Sequence, residues 1–288
     1  MDDRLGACES RPVTRITAAL VTGATDGIGR ATARRLAGLV DTLLIHGRRS
    51  DALEALAREL APANPGTSVI PLLADFADLA QVERLAEAVL DRLETLDLLI
   101  NNAAIPGGHP GASSHDGHEP AFQVNYLAPV LLTARLFGAL RASDSSKIVN
   151  LSCAQHRAVR FAWPNMWPSV AHHPKIAYAR SKLALAVHTC SLATALADTR
   201  TAAVSVDPGA IETKLLRATY GFSGAPPTAG ADHVLHAATT QQDVNGAYFE
   251  GKRRVRPAQD ALRRDAQHQL DAVTMRLLSL RLPWLSRS

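Results

Sequence analysis

The chain has 288 residues, 47% apolar and 20% charged, a balance that excludes intrinsic disorder and collagen-like structure and leaves enough chain for a full core without covalent staples. Its net charge of +4 is mild and, apart from Lys252-Arg253-Arg254 and Arg263-Arg264, scattered, so nucleic acid is not the expected partner. Cys8, Cys153 and Cys190 are far apart with no CxxC pair, which argues against a disulfide framework and a structural zinc site and fits a reducing compartment.

Taken in chain order, Ala18-Ala19-Leu20-Val21 predicts a short buried strand, followed by Thr22-Gly23-Ala24-Thr25-Asp26-Gly27-Ile28-Gly29 and a helix to about Leu39. A second strand over 42–46 precedes an amphipathic helix over 50–61, with Leu53, Leu56 and Leu60 on one face. A third strand (69–74) and helix (78–93) follow, then a strand over 96–100, a helix over 120–141, a strand over 147–151, a long helix from near Tyr178 and a strand over 202–206. Unbroken apolar strands alternating with helices predict an α/β fold, a doubly wound parallel sheet of the Rossmann type in a single domain. Its expected bounds are 16–257, with an N-terminal extension (1–15) and a helical tail (258–288). The stretches 105–119, 154–177 and 216–233 fall outside the core pattern, each after the C-terminal end of a strand, where open α/β sheets bind ligands; 154–177 and 216–233 read as substrate-side insertions. No run of about 20 apolar residues occurs, and the N-terminal segment lacks an apolar leader core, so the expectation is a cytoplasmic protein without an integral membrane segment.

Gly23, Gly27 and Gly29 lie between a strand and a helix, where free N–H groups and a partial positive charge attract phosphate. The second strand ends in His46-Gly47-Arg48-Arg49, with no acid at the spacing that would read the ribose 2′-hydroxyl of NAD. A guanidinium at that place suits a 2′-phosphate, so Arg48 and Arg49, with Arg30 on the first helical turn, favour NADP(H).

From these residues onward the chain resembles the short-chain dehydrogenase/reductase family over about residues 17–250. Thr22-Gly23-x3-Gly27-Ile28-Gly29, including Thr25 and Asp26, looks like its cofactor loop; Asp75, beside Phe76, matches its adenine contact; and Asn101-Asn102-Ala103-Ala104 is similar to its Asn-Asn-Ala-Gly motif, with Ala104 for glycine. Asn125 matches its helix asparagine, Tyr178-x3-Lys182 its catalytic pair, and Pro208-Gly209 with Ile211 and Thr213 its carboxamide-holding loop. The Gly-Arg after strand two, the insertion before Tyr178 and the Ala247-Tyr248-Phe249 run with its basic tail resemble the retinol dehydrogenase and carbonyl reductase branch.

Tyr178 and Lys182, four apart on a helix, share a face. An ammonium beside a phenol lowers its pKa, so Tyr178 is expected to exchange a proton with a substrate oxygen while Lys182 tunes it. The resemblance implies that Lys182 also holds the nicotinamide ribose and that Asn125 orders a water linking Lys182 to solvent. Asn150-Leu151-Ser152-Cys153 departs from the branch, whose second serine is catalytic: that position is Cys153, and a thiol donates weakly. Either Cys153 points into the site as an imperfect serine, with Ser152 as its neighbour, or it is a small buried residue of an altered site. No base stands out that would make it a nucleophile.

His109, His115, His118, His156, His172 and His173 match no metal motif and read as solvent-exposed loop residues, so no metal is expected. Phe161, Trp163, Met166 and Trp167 suit either an apolar substrate wall or packing of their insertion. The apolar face of the tail suits a helix packed on the domain edge or one lying on a membrane surface. By resemblance, helices 120–141 and 178–197 carry faces used in dimers, which leaves a monomer or a homodimer open. The sequence thus leads to an NADP(H)-dependent oxidoreductase of secondary metabolism that interconverts a carbonyl and an alcohol on a bulky, fairly apolar, secondary-metabolite- or lipid-like small molecule. Two other readings stand beside it: a redox-neutral lyase, isomerase or cyclase on the same scaffold, suggested by Cys153, and a non-catalytic cofactor sensor, against which the intact Tyr178–Lys182 pair counts.

Overall fold

The computed structural model describes residues 15–109, 111–160, 173–240 and 243–285. Cys8, most of the N-terminal extension, Phe161, Trp163, Met166, Trp167 and His172 lie outside the described residues.

One eight-stranded sheet organises the chain. In chain order its strands are β1 (Ala18–Val21), β2 (Thr42–Gly47), β3 (Ser68–Leu73), β4 (Leu98–Asn101), β5 (Ser146–Leu151), β6 (Thr201–Asp207), β7 (Tyr248–Glu250) and β8 (Arg253–Val255). Their spatial order is β3-β2-β1-β4-β5-β6-β7-β8, parallel throughout except for β8, which runs antiparallel to β7. This is the doubly wound Rossmann arrangement, whose order reverses between β1 and β4.

Side chains alternate across the sheet as strand geometry requires. Ala18 and Leu20 face one apolar layer, Ala19 and Val21 the other; Leu99 and Ile148 join the first, Leu98, Ile100 and Val149 the second. The second layer is closed by α1 (Gly27–Leu36), α2 (Ser50–Ala63) and α8 (Pro227–Thr239). The first is closed by α3 (Leu79–Leu90), α5 (Ala128–Ala142) and α6 (Pro174–Ala195).

Two predicted helices differ from expectation. The segment 120–141 is not one regular helix: α4 (Pro120–Phe122) passes into a wide π turn over Gln123–Leu127 before α5 begins. The wide turn accommodates two buried amides. Gln123 Nε2 donates to Asp116 Oδ2 (2.7 Å) and to the Phe76 carbonyl (3.3 Å), fixing the 105–119 loop, and Asn125 reaches Ile105. The long helix α6 starts before Tyr178, at Pro174. Proline at a first helical position loses no hydrogen bond, and His173 Nδ1 accepts from Lys175 N.

Part of α6 is covered by the tail of the same chain. The tail forms α9 (Gln259–Leu262) and α10 (Arg264–Leu277), which pack on α6. Ser191 Oγ donates to Asp271 Oδ2 (2.6 Å), and the Tyr126 hydroxyl meets Thr274 Oγ1 (2.5 Å). Trp284 closes the layer, its ring 5.5 Å from Phe137 and 5.4 Å from His188. Covered on both sides, α6 buries Ala, Leu, Ser and Thr around its whole circumference. No helix among the described residues is long and apolar enough to cross a membrane. Trp284→Ala should cost about 3 kcal/mol in denaturant unfolding, whereas Trp284→Phe, which keeps a smaller aromatic ring and removes an indole N–H that has no partner among the described residues, should cost less than about 1.5 kcal/mol.

Candidate active site

A cavity of about 640 Å³ opens at the carboxyl ends of the strands, around the reversal between β1 and β4. Of the sequence-predicted cofactor residues, Gly23, Thr25, Asp26, Gly27, Ile28, Arg30, Arg48, Arg49, Asp75, Phe76, Asn102, Ala103, Ala104, Pro208, Gly209, Ile211 and Thr213 all line it, as do Tyr178, Lys182, Ser152 and Cys153. Gly29 and Asn125 do not.

Gly29 is a packing residue. A Cβ there would sit 2.2 Å from the Gly23 carbonyl oxygen and 2.4 Å from Asn102 Nδ2, so nothing but glycine lets α1 approach the turn. Gly23 holds φ +64°, and a Cβ on it would meet Ala103 Cα at 2.8 Å. Asn102 braces the turn from β4: its Nδ2 donates to the carbonyls of Thr22 (2.7 Å) and Gly23 (3.1 Å), while Thr22 Oγ1 accepts from the backbone of Asn102 and Ala103. Asp26 caps α1 through Gly27 N and pairs with Lys214 Nζ at 2.8 Å, joining the glycine turn to α7 (Lys214–Tyr220).

His46, missed as a site residue, lies behind the turn. Its Nε2 faces the Ala74 carbonyl at 3.0 Å and its Nδ1 accepts from Gly23 N at 3.3 Å, which assigns the proton to Nε2. The ring stacks on Phe76, and burial pulls its pKa down to about 4. Of the three arginines that line the cavity, Arg30, Arg48 and Arg49, two have carboxylate partners: Arg49 binds Asp51 through two nitrogens and Arg30 binds Glu59 at 2.7 Å. Arg48 is exposed and makes no ion pair among the described residues.

Tyr178, Lys182 and Cys153 line the cavity together. Lys182 Nζ is buried, donates to the Leu151 carbonyl at 2.7 Å and lies 5.8 Å from the centre of the Tyr178 ring. Burial raises Tyr178 well above its ordinary value, and the Cys153 and Tyr220 side chains push the same way. Burial also brings Lys182 down to about 8, although Cys153 and Asp207 oppose that shift.

The structure separates the two candidates for the substrate-oxygen contact. Burial raises the pKa of the Cys153 thiol, which lies close enough to Tyr178 for the two groups to shift one another. Ser152 turns the other way, toward Tyr248, with its Oγ sealed from solvent. Adjacent residues of an extended segment face opposite sides.

One further expectation is corrected, at His156, and two more residues show their partners. Asn125 Oδ1 accepts from Ile105 N (2.8 Å), and its Nδ2 donates to the Ile105 carbonyl and to Ser181 Oγ (3.0 Å each). It therefore fixes the loop after β4 against α6. His156 is not a solvated loop residue but is fully buried. Its Nε2 accepts from Ala258 N (2.9 Å) and its Nδ1 donates to the Cys153 carbonyl (2.8 Å), tying the Cys153 turn to the start of the tail. Asp207 was overlooked. It ends β6, lines the cavity, and its Oδ1 accepts from Gly209 N at 2.9 Å. The exposed His115 lies near Asp78 and Asp116, whose carboxylates already accept from Ala80 N and Leu79 N.

Residues 17–221 match the sequence profile described as short chain dehydrogenase. The chain belongs to the short-chain dehydrogenase family. This family of oxidoreductases works with a nicotinamide cofactor, and within it the chain falls in the retinol dehydrogenase-like branch. It is similar to retinol dehydrogenase 13 of Homo sapiens (30% identity, covering 96% of this chain and 89% of the relative) and to polyprenol dehydrogenase of Mus musculus (33% identity, 90% and 83%). Among solved structures it is similar to a protein from Mycobacterium paratuberculosis (26% identity, 93% and 97% covered, TM-score 0.76). An NADPH-bound carbonyl reductase from chicken fatty liver shares the fold (22% identity, 83% and 98% covered, TM-score 0.64).

In this short-chain dehydrogenase the buried histidines set the acid limit of the fold. Burial holds His46 and His156 at about 4 and His188 at about 3, below their unfolded value near 6.5, so the unfolded chain binds protons that the folded one refuses. Their contribution is full above pH 6.5 and falls as pH drops toward 4, by at most about 4 kcal/mol per pH unit for the three together. His188→Leu should flatten that slope by about 1.4 kcal/mol per pH unit in denaturant titrations between pH 6 and 4.5; an unchanged slope would mean that His188 is charged in the fold.

Proposed function

We propose that the protein is an NADP(H)-dependent oxidoreductase that interconverts a carbonyl and an alcohol on a bulky, apolar small molecule. The observation that carries this reading is that Tyr178, Lys182 and Cys153 line the same cavity as the glycine turn, with Lys182 Nζ 5.8 Å from the Tyr178 ring. The names of the relatives, which act on retinol and polyprenol, point to a long apolar alcohol or its aldehyde as the substrate class.

The residues present fit a nicotinamide dinucleotide. The turn at Gly23 and the N-terminus of α1 offer backbone N–H groups to a pyrophosphate, Asp75 faces the cavity for adenine, and Pro208, Gly209, Ile211 and Thr213 line its other wall for the carboxamide. When bound, the nicotinamide supplies or accepts the hydride, and its oxidised ring brings positive charge that favours a phenolate. Tyr178 Oη gives its proton to the substrate oxygen in reduction and takes one in oxidation. Lys182, held by the Leu151 carbonyl, is placed to bind the nicotinamide ribose and to stabilise the phenolate. Arg48 is the guanidinium ready to meet a 2′-phosphate, since Arg30 and Arg49 would first have to leave Glu59 and Asp51.

The second reading, a redox-neutral reaction using Tyr178 as acid and base, is favoured by the thiol of Cys153 where the family places a hydroxyl. It predicts turnover with no net change in NADPH. Fluorescence titration should show tighter binding of NADPH than NADH by at least about tenfold, and Arg48→Ala should remove most of that preference. Equal affinity for both cofactors would overturn the NADP(H) assignment. Tyr178→Phe should lower reduction of apolar aldehydes by about 100-fold or more while leaving NADPH affinity within about twofold.

A further inference from the structure

The replacement of a serine hydroxyl by Cys153 leaves the reaction short of one hydrogen-bond donor, and the cavity holds another. Tyr220 is the last residue of α7, where Gly221 turns the chain at φ +74°. Its ring lines the same cavity as Tyr178 and Cys153. Its hydroxyl oxygen is sealed from solvent and has no hydrogen-bond partner among the described residues. A buried hydroxyl without a partner forfeits the bonds it would make in water, so it calls for an explanation. The ring is held from outside the cavity: Lys175 Nζ, on the first turn of α6, sits 5.4 Å from its centre, and Phe222 packs at 6.1 Å.

We propose that Tyr220 is a catalytic hydrogen-bond donor, its phenol O–H holding the reacting oxygen of the substrate in place of the hydroxyl that Cys153 lacks. This rests on the carbonyl–alcohol reading above. In reduction, the carbonyl carbon receives the hydride and the oxygen receives the proton of Tyr178; Tyr220 keeps its own proton throughout and contributes a bond that strengthens as charge builds on the oxygen. Burial, with Cys153 nearby, pushes Tyr220 up to about 12, so it remains a neutral donor across the working pH range. Cys153, whose thiol lies close to Tyr178, is a weak donor in comparison.

The test is a double-mutant cycle on the full chain: the parent, Tyr220→Phe, Cys153→Ser and the double variant, with NADPH and two probe aldehydes, all-trans-retinal and 4-nitrobenzaldehyde. Phenylalanine keeps the ring and its packing. Tyr220→Phe should lower kcat by about 30-fold or more in the Cys153 background. Once Cys153→Ser restores a hydroxyl at the expected place, the same substitution should cost less than about threefold. The NADPH Kd should stay within about twofold in all four proteins. An equal loss in both backgrounds would make Tyr220 a wall of the pocket, and no loss in either would remove it from the reaction; both results overturn the assignment. NADPH binding without oxidation of NADPH in any of the four proteins would instead reject the carbonyl–alcohol reading, and Tyr220 as donor with it.

Discussion

The site depends on how closely three backbone segments approach one another at the reversal of the sheet. β1 and β4 are neighbours, and their ends are joined by Thr22 and Asn102, each bonding the other's backbone. α1 then packs so close to the Gly23 carbonyl that position 29 has no room for a Cβ. The turn cannot open without breaking the part-buried hydrogen bonds of Asn102, nor close further without a backbone clash. That rigidity places the helix N-terminus and its unpaired N–H groups in the wall of the cavity.

The catalytic pair is set by a different balance. Tyr178 and Lys182 are both buried, and burial disfavours the charged form of each, raising the phenol and lowering the amine. A solvated pair would need large added charge to move its proton populations; a desolvated one responds strongly to any charge brought into the cavity. The Leu151 carbonyl partly compensates the ammonium, and because Leu151 ends β5, the sheet itself positions Lys182.

Much of this was legible in the sequence, for reasons that differ from residue to residue. The glycine turn, Arg48 and the Tyr178–Lys182 spacing are local patterns: a strand, a turn and a helical period of about four place them with no knowledge of distant contacts. Asn125 was located by its motif but its partners were not, since Ile105 and Ser181 lie 20 and 56 residues away. His156 looked like a loop histidine because the residue that buries it, Ala258, belongs to the tail. That the tail packs on α6 within the same chain was not legible either, since Asp271 and Trp284 lie about 80 and 96 residues from the Ser191 and His188 that they meet. Tyr220 sits in a seven-residue helix whose sequence shows no periodicity strong enough to say which side faces inward.

Asp207 shows how the tertiary structure joins these parts. At the end of β6 its carboxylate accepts from Gly209 N, and the backbone of Ala154 lies near enough to lower its pKa. Gly209 belongs to the loop opposite the glycine turn, and Ala154 follows the cysteine that lies close to Tyr178. One buried carboxylate therefore fixes the two walls between which a substrate oxygen would lie, and it adds negative charge beside Lys182, favouring the ammonium against the burial that opposes it. Burial raises the pKa of Asp207 in turn, so its charge is kept by the two backbone donors that accompany it. A residue with this role carries no motif, because its function is defined by the ends of two parallel strands that become adjacent only when the sheet has formed.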